Sequence, residues 1–262
     1  MNLIRDLYNY RELLKTNVKK EIRGKYKGSF LGVLWSFVNP LLQVLVYAIV
    51  FPYLMKIKST DNYLIYLVVG IIPWTFFLTT MSQGITSIRY NAGIIKKVYF
   101  PREILPISVV LSGVVNFLIS CLIILLFVLL AGMGISWHLI YVPLLTVLFA
   151  FFTLGLVLAL SAMNIYIKDI EYLVTFVLNM LFYGTPILYE LKTFTNDVPK
   201  ILYELVKINP LTSFIGAYRD VFMYHQAPSI EVLSILTVLS FAVFFIGYYI
   251  FKHLEKGFAE EI

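Results

Sequence analysis

The sequence predicts an all-α integral membrane protein. Six transmembrane helices follow an N-terminal interfacial amphipathic helix, and short re-entrant outer helices lie between spans five and six. Three observations carry this. Of 262 residues, 60% are hydrophobic and only 14% charged, too little polar surface to keep a soluble domain of this length dissolved. Uncharged runs recur at Gly28–Met55, Asn62–Ile88, Ile104–Ile167, Tyr172–Tyr189 and Val232–Phe251. A helix of about 20 residues crosses a hydrocarbon core of about 30 Å, and the runs suit that length. The cationic residues, finally, fall unevenly between the connecting segments.

Residues 1–27 read as a separate cytoplasmic element leading into span one. Leu3, Leu7, Tyr10, Leu14, Val18 and Ile22 recur at three- and four-residue steps and share one helical face. Arg5, Arg11, Lys15, Lys19 and Lys20 supply a basic remainder. Such a helix lies flat on anionic membrane lipids or packs against a protein partner. No cleavable signal is expected, because the polar start is followed by an apolar run too long for a signal core.

Residues 28–262 form the transmembrane domain. The run from Ile104 to Ile167 is long enough to cross twice, and Gly132-Met-Gly-Ile-Ser-Trp-His138 supplies its turn. The expected spans are therefore 31–55, 63–88, 104–131, 139–165, 172–189 and 231–251. An even number places both termini on one side. Fifteen of the 21 lysines and arginines then fall on the side of the termini, so positive charge retained inside argues for cytoplasmic ends.

Two connections are unusual. The loop 89–103 packs Lys96, Lys97, Arg102 and Glu103 around Val98, Tyr99, Phe100 and Pro101. A loop that only reverses the chain needs neither the aromatics nor a stiffening proline. The outer segment 190–229 contains apolar pieces at Ile201–Val206 and Ile208–Tyr218, punctuated by Pro199 and Pro210. Neither piece can span. Dipping back into the outer leaflet would require them to pack on protein, and an amphipathic surface loop is the plainer alternative.

Catalytic chemistry is sparse. No G-x-x-x-x-G-K-[ST] loop occurs, since Gly24-Lys25 is followed by Tyr26 without the upstream glycine. The single cysteine, Cys121, lies in an apolar run, and His138, His225 and His253 show no metal-ligand spacing. No charge interrupts the first four expected span cores, which disfavours ion-coupled transport. Asp169 with Glu171, Glu190, or Asp220 with His225 could serve an interfacial enzyme, and each also reads as a boundary charge or helix cap. Gly24, Gly28 and Gly32 would form a small stripe if helical.

The motifs then converge. Glu21-Ile-Arg-Gly-Lys-Tyr-Lys-Gly-Ser-Phe-Leu-Gly-Val-Leu-Trp-Ser-Phe-Val-Asn-Pro40 resembles the start of span one in ABC-2 type permeases that export polysaccharides. Phe100-Pro-Arg-Glu-Ile-Leu-Pro106 resembles that family's loop between spans two and three. Lys168-Asp169-Ile170 is similar to its loop before span five, where an arginine commonly precedes the aspartate. Thr185-Pro-Ile-Leu-Tyr189 and Asn209-Pro-Leu211 match its outer re-entrant pattern.

The resemblance implies the ABC-2 exporter fold, working as a homodimer with two copies of a separate ATPase subunit. The chain itself would hold no cofactor, ATP and Mg being bound by that partner, and would have no catalytic, metal or nucleic-acid site. Lys96, Lys97, Val98, Tyr99, Phe100, Pro101, Arg102, Glu103, Lys168 and Asp169 would couple to the ATPase. The physical needs agree: an apolar plug, and charges that fix its orientation. Arg23, Lys25, Tyr26, Lys27 and Trp35 would form a cytoplasmic entrance for lipid-linked pyrophosphate. Spans one and five would line the channel, with Phe37, Tyr47, Phe51, Phe176, Asn179 and Tyr183 among the candidates. Tyr189, Asn209, Pro210 and Phe214 would belong to an outer gate. The implied cargo is a lipid-linked O-antigen, capsule or teichoic acid polymer crossing a bacterial plasma membrane. A small lipid or drug, or an enzyme acting on polyprenyl-linked sugars, stands as the alternative.

Overall fold

The computed structural model describes residues 3–24, 28, 34–50, 62–191 and 199–261. Among these residues every regular element is helical. The N-terminal pair α1 (Leu3–Asn9) and α2 (Arg11–Gly24) is followed by α3 (Trp35–Ile49), which carries Pro40 inside it. The helix α4 (Tyr63–Tyr90) is apolar nearly all round and buried along most of its length, as a helix at the centre of a bundle must be. It touches α3, α6, α7, α8 and α10.

A single helical turn, α5 (Ala92–Ile95), precedes the loop into α6 (Ile104–Leu130). The predicted reversal at 132–138 is present. Gly132 and Gly134 take φ values of 72° and 77°, which a side chain would oppose. Ser136 Oγ then accepts from His138 N at 3.3 Å and starts a 3₁₀ turn, Trp137–Ile140, that runs into α7 (Tyr141–Tyr166). The remaining helices are α8 (Ile170–Tyr183), α9 (Lys200–Ile208), α10 (Pro210–Phe222), α11 (Ile230–Leu254) and α12 (Phe258–Glu261).

Among the described residues, four helical stretches are long and apolar enough to cross a membrane: Tyr63–Tyr90, Ile104–Leu130, Trp137–Tyr166 and Ile230–Gly257. They coincide with four of the six expected spans. Expected span one is described only across 34–50, because residues 29–33 and 51–61 lie outside the described residues. Expected span five, 172–189, ends early, at Tyr183. Pro186 has no N–H to donate and biases Thr185 away from helical geometry, so Gly184 closes the helix instead. At 14 residues, α8 is about 21 Å long, short of a full crossing by itself.

Packing is carried by aromatic rings where α4, α6, α7 and α10 meet. Phe76 lies 5.2 Å from both Phe117 and Phe149, Phe149 stacks on Phe214 at 4.5 Å, and Tyr218 meets Phe117 at 5.4 Å. The short α10 is thereby seated inside the bundle. Its start is set by Pro210 in the first turn and by Asn209 Oδ1, which accepts from Leu211 N at 3.0 Å.

The long contact between α7 and α11 depends on two glycines. A Cβ on Gly247 would collide with the backbone carbonyl of Gly155, and one on Gly155 with the backbone of Val243. Backbones this close leave no side chain to move aside. Gly247→Val is therefore expected to cost about 3 kcal/mol or more, the upper end of overpacking penalties. Thermal unfolding of the detergent-solubilised protein would read this as a clear fall in midpoint. An unchanged midpoint would mean that the two helices are not in backbone contact.

A candidate coupling surface and an outer arginine anchor

The loop after α4 is braced on three sides. The first brace is apolar. Phe100, Ile104 and Leu105 form a small buried cluster covered by Leu7, Tyr10, Leu13, Leu14 and Ile95. The amphipathic face predicted for the N-terminal helix thus packs, at Leu7, Tyr10 and Leu14, onto the chain's own loop. Lys20 Nζ adds a bond to Asn91 Oδ1 at 3.2 Å.

The second brace is ionic. Glu103 has 0% exposure, and its Oε1 lies 2.8 Å from Lys252 Nζ, which also reaches Glu255 Oε2 at 2.9 Å. Arg102 Nη1 donates to Glu255 O at 2.7 Å, and its guanidinium lies 5.5 Å from the centroid of the Phe258 ring. The loop is clamped to the end of α11 and to α12. Tyr166 Oη, donating to Leu254 O at 2.7 Å, ties the end of α7 to the same corner. The third brace is Arg89 Nη2 to Glu171 Oε2 at 3.0 Å, joining the end of α4 to the start of α8.

These braces sort the residues predicted to dock. Tyr99 is 86% exposed and Val98 57% exposed, with Lys96 and Lys97 exposed beside them. Phe100, Pro101 and Glu103 face inward, and Arg102 is half-buried. The expected apolar plug is thus reduced to Val98 and Tyr99. Phe100 is turned inward into the apolar cluster that Leu7, Tyr10, Leu13, Leu14 and Ile95 cover, and Glu103 because its charge needs Lys252. Lys168 and Asp169 are exposed just before α8, on the segment that leads to the Glu171 brace.

Of the predicted entrance, Arg23 is exposed at the end of α2 and Trp35 is partly exposed at the start of α3, while Lys25, Tyr26 and Lys27 lie outside the described residues. Among the channel candidates, Phe176, Asn179 and Tyr183 are exposed along α8. Tyr47 is half-buried against Phe182 at 5.9 Å and receives a bond from Gln43 Nε2 at 3.3 Å. Phe51 and the side chain of Phe37 are outside the described residues.

At the other end, Asn209 Nδ2 donates to Thr185 Oγ1 at 2.9 Å and Gly184 O at 3.2 Å, and Tyr189 Oη donates to Tyr183 O at 2.9 Å. The Asn209-Pro210 start of α10 is thereby tied to the turn after α8. Phe214 is buried in the aromatic core, so it holds α10 in place and presents no surface to a passing ligand.

A residue overlooked in the sequence organises this end. Arg219 is 5% exposed. Its Nη1 donates to Pro186 O at 2.6 Å, and its Nη2 donates to Ile187 O at 3.0 Å and Tyr66 O at 3.3 Å. The guanidinium sits 3.4 Å from the Tyr66 ring centroid, combining a cation–π contact with a fork of directed bonds. Tyr66 Oη closes the unit by donating to Tyr189 O at 2.6 Å, and Tyr63 Oη donates to Leu188 O at 2.8 Å. A signal was present: Arg219 stands four residues after Ile215, on an otherwise apolar helical face.

Two of the catalytic alternatives are otherwise engaged. Glu171 holds Arg89, Asp220 accepts from Gln226 Nε2 at 2.7 Å, and no group of three metal-ligating side chains occurs among the described residues.

The profile of the ABC-2 type transporter family matches residues 12–223, from the amphipathic helix to the end of α10. The chain is 34% identical to the O-antigen export system permease protein RfbA of Myxococcus xanthus over 262 residues, covering 100% of both chains. It is 33% identical to the protein of the same name from Klebsiella pneumoniae over 251 residues, 95% of this chain and 94% of that one. With the polysialic acid transport protein KpsM of Escherichia coli it shares 21% over 244 residues, 91% and 92% of the two chains. The matched region contains both the braced loop and the arginine anchor, and the chain belongs to the ABC-2 type transporter family.

Proposed function

We propose that this chain is the transmembrane subunit of an ATP-driven exporter that moves lipid-linked polysaccharide from the cytoplasm across a bacterial plasma membrane. It acts as a homodimer with two separate ATPase subunits, which bind ATP and Mg. Both termini and the loop 89–103 are cytoplasmic, α3 and α8 belong to the six spans, and α9 and α10 re-enter from outside. The observation that carries this reading is the exposed Val98–Tyr99 tip on a loop clamped to α8, α11 and α12, in a chain similar end to end to O-antigen export permeases.

The chemistry of each part follows. Val98 and Tyr99 plug a groove on the ATPase, and Lys96 and Lys97 orient them. A displaced tip must carry its braces with it, so motion passes through Arg89–Glu171 into α8 and through Glu103–Lys252 into α11, as rigid-body shifts of packed helices. The exposed face of α8 lines the pathway, where Phe176 and Tyr183 offer sugar C–H faces broad contact without fixing one hydroxyl pattern. Arg23 and Trp35 stand at the cytoplasmic entrance.

A photo-crosslinking residue in place of Tyr99, in native membranes, tests the assignment. Capture of an ATP-binding subunit, with a yield that changes when nucleotide is added, is the expected result. Efficient capture of lipid alone would remove the coupling role and with it the exporter reading.

A further inference from the structure

We infer that an open cleft of about 640 Å³ beside the arginine anchor is a binding site for a neutral, hydroxyl-rich glycan segment, used as the polymer leaves on the outer side. This rests on the export reading above. The cleft is lined by Glu190, Gly216, Arg219, Asp220, Tyr224 and Gln226, among others. It lies within one protomer, on the far side of the bundle from the coupling loop.

The first argument is chemical. Carboxylate, carboxamide, phenol and guanidinium groups converge on one opening, which suits a ligand that both donates and accepts from closely spaced hydroxyls. Arg219 commits three of its N–H bonds to carbonyls, while its buried Nε finds no acceptor among the described residues. Glu190 acts on its charge and Asp220 adds a second carboxylate to the same wall, so the cleft does not favour a phosphate or another anion. Burial, then the Glu190 carboxylate, raise the Tyr224 phenol above its ordinary pKa. Tyr224 therefore remains a neutral donor, with about half of its surface exposed.

The second argument is independent and concerns Gly216. It lies inside α10, where glycine weakens a helix by about 1 kcal/mol relative to alanine. Five glycines inside the long helices have a steric reason, since a Cβ on Gly70, Gly84, Gly113, Gly155 or Gly247 would strike a neighbour, whereas Gly24, at the end of α2, and Gly93, in the single turn α5, stand clear as Gly216 does. A Cβ on Gly216 would meet nothing within 4 Å, and the space it would enter is the cleft. Helix packing does not require this glycine. An unobstructed floor for a ligand does.

The test uses the whole exporter in cells that make the polymer. Deleting the permease must first abolish surface polysaccharide; continued export would overturn the export reading rather than the cleft. Gly216→Phe places a ring in the cleft, at a position where a Cβ meets nothing within 4 Å. Its initial export rate is expected to fall about tenfold, equivalent to losing one or two hydrogen bonds at about fivefold each. Gly216→Ala should export normally. A benzophenone side chain at position 216 should yield an adduct carrying polymer sugar. Export by Gly216→Phe at the full rate, or an adduct-free position 216 while Phe176 labels, would overturn the site. If Gly216→Phe fails to assemble, Tyr224→Ala and Gln226→Ala read the same loss from the cleft rim, and full export by both would also overturn it.

Discussion

Arg219→Leu is expected to destabilise the protein by about 4 kcal/mol, within the range for stranding several buried acceptors at about 1–3 kcal/mol each. The carbonyls of Pro186, Ile187 and Tyr66 lose the guanidinium together, Pro186 O keeping only the longer contact from Tyr66 Oη at 3.2 Å, and the Tyr66 ring loses its cation. Pro186 and Ile187 sit in the turn after α8, outside any helix that could supply replacement bonds. Arg219→Lys should recover less than half, because one ammonium cannot reproduce a planar fork reaching three carbonyls. Tyr66→Phe keeps the ring under the guanidinium but loses the bond to Tyr189 O, a cost of about 1 kcal/mol. The measurement is the unfolding midpoint of the purified protein in detergent. Equal midpoints for Arg219→Leu and the unaltered chain would show that the turn is held by something else. The coupling of Arg219 to Tyr66 should appear as non-additivity in the double variant.

How much of this was legible in the sequence depends on whether local or distant contacts decide. The helices at 63–90, 104–130, 141–166 and 230–254 follow from long apolar runs, because backbone groups in hydrocarbon have few other ways to be satisfied. The early end of α8 was written in Pro186 but masked by the apolar residues after it. Composition alone singles out the loop 89–103, since Lys96, Lys97, Tyr99, Phe100 and Pro101 together are more than a reversal needs. It could not sort them. Tyr99 and Phe100 are adjacent and chemically alike, yet one is exposed and the other buried, and the difference is made by a cluster that takes Leu7, Tyr10, Leu13 and Leu14 from the N-terminal helices. Lys252 reads as a topological charge until its neighbours across the fold are known. Arg219 counts equally well as one more outer cation, and only its register on α10 marks it as buried.

The second large effect belongs to Lys252. Glu103 is fully buried, and Lys252 is the cation that faces it at 2.8 Å. Lys252→Met leaves a carboxylate in a dry site beside Phe100 and Ile104, an uncompensated charge that costs about 3–5 kcal/mol. Glu103→Gln should be far milder, about 1 kcal/mol, because Lys252 keeps Glu255 at 2.9 Å and part of its surface in solvent. That asymmetry separates a buried ion pair from a surface one, for which the two variants would cost the same small amount. The double variant Glu103→Gln, Lys252→Met should regain most of the loss, since replacing both partners removes the stranded charge. Its folding would then be restored while the ionic joint between loop and α11 is gone and only the Arg102 bond to Glu255 O remains there. In the assembled exporter, ATP hydrolysis should persist in this double variant while polymer export falls. Export in proportion to hydrolysis would show that motion reaches the membrane without the Glu103–Lys252 pair.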